Sequence, residues 1–116
     1  MENLTALTAE IDRFALEREW DQFHSPKNLS MALVVEAAEL VEEFQWLTER
    51  ESLDFSEGKK DKVADEIGDV LIYTLRLCSR LGLDPLRCAG EKLRKNAEKY
   101  PIALSKGKAT KYSDLK

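Results

Sequence analysis

Residues 29–47 read LSMALVVEAAELVEEFQWL, and residues 63–81 read VADEIGDVLIYTLRLCSRL. Both stretches space their apolar residues for a helix and not for a strand. At about 100° per residue, Leu33, Ala37, Leu40, Phe44 and Leu47 share one arc, Glu36 borders it, and Glu39 lies roughly 60° to the far side of Glu36. The second stretch repeats the layout. Val63, Ile67, Val70, Thr74, Leu77 and Cys78 share an arc bordered by Glu66, and Asp69 lies roughly 60° beyond it. If the two helices run antiparallel, pairing Glu36 with Asp69 and Glu39 with Glu66 implies one common midpoint near Ser52 and Leu53. That midpoint falls inside the polar connector of residues 49–58, so the register predicts four carboxylates at one level beside the core.

Working outward, a first helix is expected from about Thr8 to about Phe23, broken by His24-Ser25-Pro26-Lys27. Asn28 or Ser30 is expected to cap the second helix, which continues to about Thr48. Ser56 or Gly58 opens the third, and Gly82 suits its C-terminus. Asp84-Pro85 is an N-cap followed by Pro at the first helical position, and this fourth helix runs to about Lys99. Residues 102–116 read as an irregular basic tail. The expected fold is all-α, a four-helix bundle protomer forming one domain over residues 1–116. The run VLIYTLRLC is apolar most of the way round its helix, which asks for cover on two sides and points to a second subunit.

Composition agrees with a helical reading. The chain has 116 residues, 34% of them charged, with five Gly and three Pro, too few turn formers for a sandwich or barrel and too many apolar residues for disorder. No apolar run approaches the roughly 18 residues of a membrane span, and the early acids of MENLTALTAEIDRF do not suit a signal peptide, so no membrane and a cytoplasmic location are expected. Cys78 and Cys88 read as reduced structural thiols. With His24 the single histidine and no CxxC, any metal held by one chain must be held by oxygen. Net charge is −4, yet residues 36–69 carry twelve acids against four bases, while residues 85–116 carry nine bases against three acids. An acidic centre followed by a basic end suits a cation and a small anionic ligand together, and the pI near 5.1 argues against a nucleic-acid polymer.

Four carboxylates without countercharge repel one another, so their convergence asks for a cation. Oxygen-only ligation suits Mg²⁺, with Mn²⁺ as a substitute, and Mg²⁺ recruits substrate phosphates to complete its coordination. The bland alternative pairs these acids with Lys59, Lys60 and Lys62 at the bundle edge. A di-iron bundle fits less well, because it wants histidines on two helices. Lys92, Arg94, Lys95 and Lys99, with Lys106, Lys108 and Lys111 in the tail, supply charge for a triphosphate. Trp20, Trp46, Tyr73 and Tyr100 are candidates to stack on a base, and His24 and Asn96 to hydrogen-bond its edge or the sugar. Trp46 stands out because its stripe carries Glu39 and not the core leucines. The same stripe makes Glu39 the candidate general base.

Glu36-Ala-Ala-Glu39 followed by Glu66-Ile-Gly-Asp69 resembles the ExxE…ExxD signature of the MazG-like all-α nucleotide pyrophosphohydrolases. Trp20-Asp-Gln-Phe-His24-Ser-Pro-Lys-Asn28, Phe44-Gln-Trp46, Asp69-Val-Leu-Ile-Tyr73, the Lys92…Asn96…Tyr100-Pro101 spacing and Lys111-Tyr112-Ser-Asp-Leu are similar to the dCTP pyrophosphatase branch. The resemblance implies a helical protomer assembling as a dimer or dimer of dimers, and Mg²⁺-dependent hydrolysis of a nucleoside triphosphate to monophosphate and pyrophosphate. It also implies that Glu36, Glu39, Glu66 and Asp69 ligate metal, that Trp20 and Trp46 enclose the base, and that Lys92, Asn96 and Tyr100 approach the nucleotide. A non-catalytic nucleotide-sensing or protein-interaction module is the competing expectation. A related phosphohydrolase acting on dUTP or phosphoribosyl-ATP is a third.

Overall fold

The computed structural model describes residues 1–115, and these form six helices, four of them long, with no strand among the described residues. Two compact units divide the chain, Met1–Leu83 and the residues from Asp84 onward.

In the first unit α1 spans Leu4–Glu17, four residues ahead of the expected start, because Asn3 and not Thr8 is the cap: its side-chain oxygen accepts from the Ala6 N–H at 2.8 Å. The helix also stops short of Phe23. Glu19 takes a left-handed φ of 56°, and Trp20 and Glu19 donate their N–H groups to the carbonyls of Ala15 and Leu16. That closure satisfies the last carbonyls and ends the helix, and a single 3₁₀ turn, Asp21–Phe23, follows. Helix α2 spans Pro26–Glu42. Ser25 is its cap, accepting from the Asn28 N–H at 3.1 Å, while Asn28 and Ser30 donate their side chains to the Phe23 and Lys27 carbonyls. Pro26 therefore takes the first helical position, where its missing N–H is harmless.

Helix α2 ends at Glu42, short of the expected Thr48. Phe44 and Gln45 both donate to the Val41 carbonyl, and the chain turns there. The connector holds a short helix, α3, Glu49–Ser52, started by a capping box in which Thr48 and Glu51 satisfy each other's backbone N–H at 2.9 and 3.1 Å. Helix α4, Glu57–Leu81, begins and ends as expected, capped by Ser56 and stopped by Gly82 at a left-handed φ of 68°.

Helix α4 packs against both α2 and α1. Ala15, Leu29, Val63 and Leu75 are the buried apolar residues, with Arg76 beside them. Leu75 lies outside the expected core arc, and Ile67, inside that arc, is 52% exposed. Two neighbours on α4 mean that its buried positions follow two faces, and a single-arc reading misses the second. Met31, Val34, Val35 and Val41 on α2, with Ile67, Leu71 and Ile72 on α4, remain exposed.

In the second unit α5, Pro85–Lys99, starts on the Asp84 cap with Pro85 first, as expected. Residues 102–115 are not wholly irregular: a short helix α6, Ile102–Ser105, and a 3₁₀ turn, Tyr112–Asp114, interrupt the tail.

Candidate active site

Lys59, near the start of α4, forms an ion pair with Glu43 at the end of α2, at 3.4 Å. The acids of the expected register, Glu36 and Glu39 with Glu66 and Asp69, meet further in, and the two levels of contact together make the helices antiparallel. Glu36, Glu39, Glu66 and Asp69 each offer an oxygen, and the four atoms lie within 4.8 Å of one another. Glu36, Glu39 and Glu66 are half-buried.

The cluster is electrostatically unfavourable as it stands. Burial pushes Glu36 up to about 7, with a hydrogen bond and charge from Glu39 and the charges of Asp69 and Glu66 adding to it. Glu66 is raised for the same reasons, burial first and the Glu39 charge next. One buried oxygen of Glu36 and one of Glu66, Oε2 in each, have no hydrogen-bond partner. No Lys or Arg pairs with any of the four among the described residues; Lys59 goes to Glu43 instead of joining them. Converging oxygens, two orphaned lone pairs and no protein cation fit a hard divalent ion held by oxygen.

A cavity of about 300 Å³ adjoins this cluster, with Glu36 and Asp69 on one side and Trp20, His24, Tyr73 and Arg76 among its other walls. Trp20 packs edge-on to Phe14 and to His24, with ring centroids 5.7 and 6.0 Å apart. Three of the candidate base-binding groups, Trp20, His24 and Tyr73, are thereby gathered beside the carboxylates. Trp46 is not among the cavity walls: α2 ends before it, and it stands in the following turn, 87% exposed. The stripe argument that linked Trp46 to Glu39 therefore loses its helix.

Arg76 was not among the sequence candidates. Its guanidinium donates to Asp12 at 2.7 Å, to Asp21, and through Nε to Nδ1 of His24 at 3.0 Å. A lone Arg inside VLIYTLRLC was the available signal, since a cation in an apolar run requires acids to meet it.

In the second unit, Lys92 and Lys95 lie on α5 with Asn96, and Tyr100 is its C-cap residue. Lys99, then Lys95, lowers the Lys92 pKa by charge, so the ammonium groups are close-set. Arg87 and Arg94 take the helix's acids, Glu91 and Glu98, in pairs four residues apart, which leaves the lysines without a carboxylate among the described residues. Lys99 lies over the Tyr112 ring at 4.7 Å, and Tyr112 meets Tyr100 edge-on. Lys108 and Lys111 lie in the segment between α6 and the Tyr112 turn.

Residues 31–115 match the MazG-like family. The chain belongs to the MazG-like family. Among curated relatives of this MazG-like chain, dCTP pyrophosphatase 1 of Rattus norvegicus is 43% identical over 99% of the chain and 67% of its own length. The human protein of the same name is 38% identical over the same share of the chain and 67% of its own length. A pyrophosphatase of Archaeoglobus fulgidus, solved by crystallography, superposes with a TM-score of 0.81 at 37% identity, covering 87% of this chain and 94% of that one.

Proposed function

We propose that this MazG-like protein hydrolyses (deoxy)nucleoside triphosphates, dCTP-like in preference, to the nucleoside monophosphate and pyrophosphate, with Mg²⁺ as cofactor and Mn²⁺ as a substitute. The observation that carries the reading is the unpaired four-carboxylate cluster beside a cavity walled by Trp20, His24 and Tyr73. Relatives named for dCTP and pyrophosphate hydrolysis point the same way.

Glu36, Glu39, Glu66 and Asp69 would hold the divalent ion. When bound, that ion neutralises triphosphate charge and polarises the α-phosphorus. Glu39 accepts a proton from the attacking water as its oxygen bonds to the α-phosphorus, and the α–β phosphoanhydride bond breaks to release pyrophosphate. Trp20, His24 and Tyr73 orient the base, with Trp46 as a further enclosing ring. Lys92, Lys95, Lys108 and Lys111, with Asn96 and Tyr100, serve as substrate-binding groups. Positioning of the reacting atoms and electrostatic stabilisation together account for the rate in such a scheme.

The reading extends to assembly and setting. A homodimer or homotetramer is supported by the many large apolar residues left exposed on α2 and α4, since extensive exposed apolar surface marks subunit contacts. We take the chain as one functional domain acting on cytoplasmic nucleotide pools. No helix among the described residues is long and apolar enough to cross a membrane.

Pyrophosphate release from a panel of deoxynucleoside triphosphates, with and without Mg²⁺, tests the proposal. Release that requires the metal and is fastest with dCTP supports it; binding of nucleotides without release favours the non-catalytic module.

A further inference from the structure

Arg76 is 4% exposed in the cavity wall, and each of its three side-chain nitrogens donates a hydrogen bond. Its terminal nitrogens go to Asp12 of α1 and Asp21 of the 3₁₀ turn, and Asp12 is held in turn by the Ser79 hydroxyl at 2.6 Å. The third direction, Nε–H, meets Nδ1 of His24. Arg80 holds the same residue by its backbone, donating Nε–H to the His24 carbonyl at 3.1 Å.

A guanidinium carries donors and no acceptor, so the ring nitrogen facing it must be unprotonated. The remaining proton of a neutral imidazole is then on Nε2. Arg76 cannot turn away to suit another tautomer, because two carboxylates fix its plane. A doubly protonated ring would set an N–H against an N–H and a second cation against Arg76. Burial, Arg76 and Arg80 oppose protonation, and Asp21 favours it; the net effect lowers the His24 pKa. Nε2 has no hydrogen-bond partner among the described residues, and His24 lines the cavity beside Trp20 and Tyr73.

We propose that Arg76 is a positioning residue for substrate recognition: pinned by Asp12 and Asp21, it keeps His24 neutral with the proton on Nε2, so the ring presents one fixed donor to a carbonyl oxygen on the edge of a pyrimidine base. The ligand's identity rests on the nucleotide-hydrolase reading; the tautomer does not. Asp12, Asp21 and Ser79 act through Arg76, and no charge change is needed for the donor to form.

His24 is the only histidine, so tag-free protein labelled with ¹⁵N-histidine reports this ring alone. The expected spectrum has a pyridine-like Nδ1 and a pyrrole-like Nε2, and adding deoxycytidine, without phosphate or metal, moves the Nε2–H proton downfield. A pyrrole-like Nδ1, or both nitrogens averaged, overturns the proposal. In steady-state kinetics with dCTP, His24→Phe is expected to raise KM about tenfold with kcat within a few-fold, the loss of one hydrogen bond, and His24→Gln to restore most of it. Equal KM values for His24→Phe, His24→Gln and the parent protein overturn it. Arg76→Lys, which keeps a donor, preserves the pyridine-like Nδ1, whereas Arg76→Met loses it. If no triphosphate is turned over while the tautomer and the deoxycytidine shift are as expected, the positioning of His24 stands and the hydrolase reading fails.

Discussion

Glu36→Gln stabilises the metal-free protein and removes its response to magnesium. Four carboxylate oxygens lie within 4.8 Å of one another, and one ionised pair at that distance repels by about 3.5 kcal/mol at an effective dielectric of 20 and about 0.9 kcal/mol in water. Glu36 is half-buried and solvent screens part of this, so deleting its charge gains about 1 to 2 kcal/mol overall. For a chain of this size that is a rise in Tm of about 4 to 8 °C. The gain depends on pH in a defined direction. The folded carboxyl titrates at about 7 against an ordinary 4.5, so the metal-free parent is unpenalised below about 4.5 and loses stability as pH rises through about 7. The variant's advantage is thus full near pH 8 and small near pH 4.5. Saturating Mg²⁺ reverses the order, because a ligand at about 100 times its Kd adds about 2.7 kcal/mol to a protein that binds it, and the variant has lost a ligand. Differential scanning calorimetry at the two pH values, with chelator and with Mg²⁺, reads all four cases. A variant no more stable than the parent near pH 8 in chelator, or equally stabilised by Mg²⁺, refutes the reasoning.

Other consequences follow from the same geometry. Glu39→Gln keeps the Tm within a few degrees and lowers pyrophosphate release by about 10²- to 10⁴-fold, measured with a coupled phosphate assay. Magnesium affinity rises with pH through about 7, since the proton raised onto Glu36 must leave before it can ligate; calorimetric titration in buffers of different ionisation enthalpy counts the released proton. Leu29→Ala, at a side chain 1% exposed in a small core, lowers unfolding free energy by about 2 to 5 kcal/mol in urea titration.

What could be read from the sequence followed local chemistry. Ser56, Gly82 and Asp84-Pro85 set helix ends correctly because each supplies the group its terminus lacks. Thr8 and Ser30 misled because better caps, Asn3 and Ser25, stood upstream, and Pro26 made the second of these the natural start. Nothing signalled the end of α2 at Glu42: Phe44 and Leu47 keep the helical period, and the closure uses no Gly or Pro. Glu19 hid the end of α1 in the same way, as a left-handed residue that is not Gly. The acid register was legible because two helices repeat one spacing about a shared midpoint. The Arg76 arrangement was not, because Asp12, Asp21 and His24 come from separate segments that only packing brings together. Leu75 was missed because α4 has two neighbours.

Hydrolysis of dCTP in ¹⁸O-labelled water, with Mg²⁺ present and the products followed by ³¹P NMR, addresses the claim that the α2–α4 carboxylates direct water to the α-phosphorus. The account predicts dCMP carrying the label together with unlabelled pyrophosphate, and no reaction in Glu36→Gln/Glu66→Gln protein. Label in pyrophosphate or inorganic phosphate, or undiminished turnover in that double variant, would contradict it.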